Sequence, residues 1–71
     1  MQNRIRELRE HMGITQEDLG IRVGVSRQTI ISLERGKYNP SISLAYRLAR
    51  TFNLKIEDVF TFTEEGKGFE D

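Results

Sequence analysis

Residues 16–33, QEDLGIRVGVSRQTIISL, carry the signals for two short helices joined by a tight turn. Gly20 is a small residue at the point where the two helices must approach closely, and Gly24 lies in the turn between them. Apolar residues at the inward positions would bury the pair against the rest of the domain: Leu19, Val23, Val25, Ile30 and Leu33. Two helices joined in this way place the second helix in the major groove of DNA. The stretch therefore predicts a DNA-binding unit, which we extend to residues 16–35.

A first helix, over residues 3–12, precedes this unit. Ile5, Leu8 and Met12 recur at steps of three and four residues, which puts them on one face of a helix. We expect this face, including Met12, to lie in the core. Gly13 can end the helix in a left-handed conformation.

Hydroxyl side chains mark the starts of the next three helices. Thr15, Ser26 and Ser41 each stand where an N-cap residue would accept a hydrogen bond from the first helical turn. The fourth helix has an apolar stripe made of Ile42, Ala45, Leu48, Ala49 and Phe52. Asn53 can end this helix in a left-handed conformation, and a last helical turn or two spans Ile56 to Phe60. The chain therefore predicts an all-α fold of five helices.

Composition argues against several classes of protein. The chain of 71 residues has room for one compact domain, and no apolar run approaches the ~20 residues that cross a bilayer. It begins with a charged amphipathic stretch rather than a secretory signal, so we expect a cytoplasmic protein without a membrane partner. Cysteine is absent and His11 is the single histidine, so we expect no metal and no other cofactor. A catalytic set of residues and room for a substrate pocket are lacking, which argues against an enzyme and a small-molecule ligand.

The net charge of zero conceals a division along the chain. Residues 1–50 hold nine lysines or arginines against five acids, a net charge of +4, and residues 51–71 hold two against six, a net charge of −4. The basic part agrees with a nucleic-acid partner. The acidic end is either a solubilising tail or an end that faces away from phosphate.

The C-terminal end predicts a short strand and a dimer interface. Residues 60–63 alternate aromatic with β-branched polar side chains, which is typical of a half-buried strand. We divide the chain into a DNA-binding domain, 1–60, and a C-terminal extension, 61–71, with a frayed acidic end. Four apolar residues present more apolar surface than so small a core can cover, and we expect them to form the interface of a dimer: Ile56, Val59, Phe60 and Phe62. In that dimer two strands, or a strand and an N-terminus, would pair edge to edge. The alternative is that the tail packs onto its own domain.

Three stretches within residues 3–60 resemble one known family. ITQEDLG, VGVSRQTIISLERGKYNPS and LARTFNLKIEDVF are similar to the Cro and phage-repressor type of helix-turn-helix regulator, often called XRE-like, in its short single-domain form. The resemblance implies a five-helix fold like that of the lambda repressor. It also implies that the third helix enters the major groove while the second crosses the DNA backbone.

The resemblance implies that four residues of the third helix face base edges: Arg27, Gln28, Ile31 and Ser32. Arginine can bond guanine in a bidentate manner, glutamine can bond adenine likewise, and serine can bond either base. Ile31 departs from the family pattern, which more often has a small or polar residue there. It would either touch a thymine methyl group or simply be exposed.

Contacts with the DNA backbone are implied as well. Gln16 resembles the family glutamine that bonds a phosphate and supports the side chain opposite, here Gln28. Further backbone contacts are implied for Thr29, Lys37, Tyr38 and Asn39. The family pattern also pairs Arg9 with Glu34 as a largely buried ion pair across helices one and three. The alternative for this pair is two separate surface charges.

We expect a homodimer, because one half-site cannot discriminate among ~10⁶ or more competing genomic sites. The expected function is sequence-specific binding to double-stranded DNA at an inverted repeat, as a repressor of transcription, with an activator as the alternative. A different class of function stays open, that of an antitoxin-like module whose acidic tail grips another protein and whose DNA binding is secondary.

Overall fold

The computed structural model describes residues 2–61, and this part of the chain is mostly helical. Five helices follow one another in the order α1 (Ile5–Met12), α2 (Gln16–Val23), α3 (Arg27–Glu34), α4 (Ile42–Thr51) and α5 (Ile56–Val59). The predicted all-α fold is confirmed. No helix in residues 2–61 is both long and apolar enough to cross a membrane.

The predicted capping residues begin α2, α3 and α4. The Thr15 hydroxyl accepts a hydrogen bond from the backbone N–H of Asp18 at 3.0 Å, and the Asp18 carboxylate accepts one in return from the Thr15 N–H at 3.3 Å. The hydroxyls of Ser26 and Ser41 each accept from the third residue of their helix at 3.1 Å. These bonds satisfy N–H groups that have no partner within a helix, which fixes the three helix starts.

The core contains one group of buried apolar side chains drawn from all five helices and the residue after α5. Its members are Ile5, Leu19, Val23, Ile30, Leu33, Leu44, Ala45, Leu48, Ala49, Val59 and Phe60. Met12 is 41% exposed, so its predicted place in the core was wrong. The reason is its position as the last residue of α1, just before the left-handed Gly13, whereas Leu8 one turn earlier packs against the core.

The two ends of the described chain pair with each other. Asn3 and Phe60 form an antiparallel β-bridge. The N–H of Arg4 donates to the Val59 carbonyl at 2.8 Å, and the N–H of Thr61 donates to the Gln2 carbonyl at 2.9 Å. Helix α1 therefore begins at Ile5 rather than at residue 3, because residues 2–4 pair with the backbone of residues 59–61.

This pairing corrects the reasoning behind the expected dimer interface. Val59 and Phe60 are 1% and 2% exposed within the single chain, so the core already covers their apolar surface. Ile56 is partly buried against the same core, and Phe62 lies outside the described residues. The backbone around Phe60 also pairs with its own N-terminus, so it is not a free edge for a partner.

Candidate nucleic-acid interface

The turn between α2 and α3 is built on two glycines. Gly24 has a φ of 81°, a left-handed conformation that favours glycine, and its N–H donates to the Gly20 carbonyl at 2.8 Å. A β-carbon on Gly20 would lie 2.6 Å from the carbonyl oxygen of Val25, which is too close for any side chain. The two glycines therefore let α3 cross close to α2 and leave its outer side free.

Arg27 and Gln28 lie at the start of α3 with exposed side chains. Within residues 2–61 neither side chain makes a hydrogen bond or an ion pair with the protein. One turn later Ile31 and Ser32 are partly buried. The outer side of α3 thus presents two long polar side chains, which have the donors needed to read base edges, beside a shorter apolar and hydroxyl pair.

An open hollow of about 740 Å³ lies between α1, α2 and α3, and we call it the groove hollow. Its walls include Arg27 and Ile31 from α3, Gln16 from α2 and Arg6 from α1. The structure thus brings two of the expected base-contacting residues to the same concave surface as the expected phosphate-binding glutamine.

Arg9 and Glu34 form an ion pair at the floor of this hollow. The Arg9 Nε donates to a Glu34 carboxylate oxygen at 2.6 Å and Nη2 donates to the other at 3.3 Å, while Nη1 donates to the Ile14 carbonyl at 3.0 Å. The two side chains are only 12% and 5% exposed. The hydrogen bond to Glu34 raises the pKa of Arg9, helped by the charges of Glu34 and Glu10 and opposed by burial. The pair therefore joins α1 to the end of α3, as the resemblance implied.

Two side chains have partners other than those expected. Gln16 was expected to support Gln28, but its Nε2 donates to the Glu34 carboxylate at 3.1 Å. A charged acceptor makes a stronger hydrogen bond than an amide, and Glu34 lies within reach of α2. Thr29 is partly buried, and its hydroxyl lies 3.1 Å from that of Ser26.

The loop after α3 carries the other expected backbone contacts. Lys37 and Tyr38 are exposed, and Asn39 is partly buried. The N–H of Lys37 donates to the Ser32 carbonyl at 3.0 Å, which holds the start of the loop against the last turn of α3. These three residues are not among those that line the groove hollow.

Sequence reasoning missed two arginines of this surface and one residue that holds α3 in place. Arg6 and Arg35 line the groove hollow, and Arg35 is exposed at the C-terminal end of α3. Asn3 donates from Nδ2 to the Leu33 carbonyl at 2.8 Å and accepts from the Ile5 N–H through Oδ1 at 3.0 Å. It therefore ties the end of α3 to the start of α1. The arginines were detectable as charges, but the role of Asn3 depends on a contact across 30 residues.

Comparisons with known proteins agree with this geometry. The chain matches the helix-turn-helix family model over residues 5–59. It is 60% identical over 65 residues to an uncharacterized HTH-type transcriptional regulator of Archaeoglobus fulgidus, with 92% of each chain covered. It is 48% identical over 65 residues to another such regulator, of Bacillus subtilis, with 92% of this chain and 98% of the relative covered.

Solved structures with a similar fold include a repressor and a controller protein. The P22 c2 repressor, in complex with a synthetic operator, has a TM-score of 0.74 and 31% identity, with 76% of this chain and 82% of the repressor covered. The restriction-modification controller protein of Aeromonas hydrophila has a TM-score of 0.74 and 33% identity, with 80% and 86% covered.

Proposed function

Because this chain belongs to the helix-turn-helix family of Cro and phage-repressor type transcriptional regulators, which bind DNA, we propose that it is a repressor that acts as a homodimer on an inverted repeat. The observation that carries the proposal is the outer side of α3, where Arg27 and Gln28 are exposed and unpaired within residues 2–61. A regulator of this kind works at the chromosome, so the proposal includes the cytoplasm as its place of action.

Base reading is assigned to α3. Arg27 and Gln28 have donors and acceptors that match guanine and adenine in the major groove. Ser32 supplies a hydroxyl one turn later, and Ile31 supplies an apolar contact for a thymine methyl group. The solved complex of the P22 c2 repressor with an operator supports this assignment, since that repressor shares the fold.

Phosphate binding is assigned to residues around the groove hollow. Gln16 is the first residue of α2, and the N-terminus of a helix favours an anion through its dipole and through the N–H groups that the Thr15 cap leaves open. Lys37, Tyr38, Asn39 and Thr29 would add contacts at and after α3. Such contacts hold the protein on DNA without direct sequence information.

The homodimer is proposed on energetic grounds. One recognition helix reads too few base pairs to select a single site, and two copies on half-sites about 34 Å apart, or a multiple of that distance, would double the contacts. Ile56 and Phe62 remain candidates for the interface, whereas Val59 and Phe60 are left out because the core buries them. Sedimentation at micromolar concentration tests this point, and a monomer both free and on the operator would contradict it.

Substitutions that distinguish base contacts from phosphate contacts test the assignment of α3. Arg27→Ala removes a bidentate contact worth about 1 to 3 kcal/mol, so it should relax preference at one symmetric pair of operator positions and nowhere else. Lys37→Ala should weaken binding to operator and random DNA together, and reduce the salt slope by about one unit per subunit. The measurement is a titration of each variant against the operator, its single-base variants and random duplex at several salt concentrations.

The comparison of the two variants decides the outcome. If Arg27→Ala and Lys37→Ala caused the same uniform loss across all duplexes, Arg27 would be only a phosphate contact. The assignment of α3 to the major groove would then lose its support. The operator for these titrations is obtained by selecting bound sequences from a random pool, and a two-fold symmetric motif is expected.

A further inference from the structure

The residues after Thr61 carry a concentrated negative charge. Residues 62–71 contain four acids and one lysine, a net charge of −3. The acids stand in two pairs: Glu64 with Glu65, and Glu70 with Asp71. The proposed function gives these acids no role, although they are four of the eleven acids of the chain.

The chain enters this segment beside the C-terminal end of α3. The N–H of Thr61 donates to the Gln2 carbonyl at 2.9 Å, and Gln2 lines a second, smaller hollow together with Asn3 and Arg35. We call this the end hollow. Asn3 holds the carbonyl of Leu33, in the last turn of α3, at 2.8 Å. The point where the acidic segment starts is therefore fixed against the end of the recognition helix.

Arg35 connects the end hollow to the surface assigned to DNA. It lines both the end hollow and the groove hollow, and its exposed side chain forms no ion pair within the described part of the chain. Glu34 also lines both hollows, but its carboxylate is already occupied by Arg9 and Gln16. An anion that approaches this end of α3 therefore meets a free arginine and no free carboxylate from Glu34.

The acidic segment starts near Arg35, because Thr61 bonds Gln2 and Gln2 lines the same hollow as Arg35. Glu64 and Glu65 follow Thr61 by three and four residues, so an extended chain carries them up to about 10 to 14 Å from it. Electrostatic attraction acts over about 10 Å at 0.1 M salt. A short tether also holds the carboxylates at an effective concentration of about millimolar.

We propose that residues 62–71 dock through their carboxylates on Arg35 at the end of α3, in the same chain, and compete there with DNA phosphate. The docking itself follows from charge and position, and its effect on DNA rests on the proposed function. A duplex of any sequence must displace the acidic segment before phosphate can reach this arginine. The segment therefore lowers affinity at low salt, and the effect fades as salt screens both interactions.

The first test detects docking without DNA. In the full chain, the four acids are neutralised together by Glu64→Gln, Glu65→Gln, Glu70→Gln and Asp71→Asn. Amide NMR shifts at Gln2, Arg35 and Gly36 should differ between this variant and the unmodified protein at low salt, and the difference should disappear at 0.5 M salt. Unchanged shifts would overturn the proposal. Shifts that depend on protein concentration would mean docking between copies and would also overturn it.

The second test measures competition on a random duplex of about 20 base pairs at low salt. Neutralising the four acids should tighten binding about three- to tenfold, and Lys67→Gln, which changes one charge in the opposite direction, should weaken it. In an Arg35→Ala background the gain from neutralisation should fall below about twofold. An equal gain in that background would show only long-range repulsion from DNA and overturn the docking. Absence of any DNA binding by the unmodified protein would instead contradict the proposed function, while the NMR result still decides the docking.

Discussion

Removing one partner of the ion pair between Arg9 and Glu34 should destabilise the protein far more than removing an exposed charge. Glu34→Gln keeps the shape of the side chain but leaves the Arg9 guanidinium, whose side chain is 12% exposed, without its carboxylate. Three hydrogen bonds reach that carboxylate, from Arg9 at 2.6 and 3.3 Å and from Gln16 at 3.1 Å. A buried charge without its partner costs about 3 kcal/mol or more.

The size of this loss is large for so small a domain. Proteins of this length are stable by about 3 to 10 kcal/mol in total. A loss of about 3 kcal/mol should lower the melting temperature by about 12 to 24 °C, at about 4 to 8 °C for each kcal/mol. Arg9→Met should give a similar loss, because it leaves the Glu34 carboxylate buried without its cation. Neither variant should change which base sequence is preferred, since the pair lies below the surface proposed to face DNA.

Urea and thermal unfolding followed by circular dichroism measure these losses. The matched control is Arg6→Met, which breaks an exposed pair with Glu10 whose side chains are 72% and 57% exposed, and it should cost less than about 1 kcal/mol. The double variant of Arg9→Met with Glu34→Gln should be more stable than the sum of the single losses predicts, because it removes both charges together. The reasoning is refuted if each single variant costs no more than the control and the two losses simply add.

Two further changes test the contacts that position α3. Gly20→Val should lower the free energy of unfolding by about 1 to 3 kcal/mol or more, because its β-carbon would lie 2.6 Å from the Val25 carbonyl oxygen and force the helices apart. The control is Ile21→Val, at a position 74% exposed on the same helix, which should change the free energy of unfolding by less than about 0.5 kcal/mol. Asn3→Ala should lower the free energy of unfolding by about 1 to 2 kcal/mol, since it removes the hydrogen bonds to the Leu33 carbonyl and the Ile5 N–H. Asn3→Asp should lower it less, because the carboxylate still accepts the hydrogen bond from the Ile5 N–H. Equal unfolding midpoints for Asn3→Ala and the unmodified protein would show that this tether contributes nothing.

The sequence by itself determined the helices and where α2, α3 and α4 begin. These features depend on interactions between residues a few positions apart, such as the capping bond between Thr15 and Asp18, and on helical spacing of apolar residues. The turn at Gly24 and the close approach at Gly20 were visible for the same reason, since glycine is the residue that such a turn requires. The exposed start of α3 could be predicted as well, because the apolar residues of this helix show which side faces the core.

Only the tertiary structure decided how the ends of the chain are used. Phe60 alternates with polar neighbours in the sequence and was expected at a dimer interface, but it lies in the core of its own chain and pairs there with Asn3. Likewise Gln16 bonds Glu34 rather than Gln28, and Arg35 stands at the junction of two hollows. These outcomes depend on contacts between residues far apart in the sequence. Local pattern shows that a side chain is apolar or charged, whereas the packing of the helices decides which surface covers it and which partner it meets.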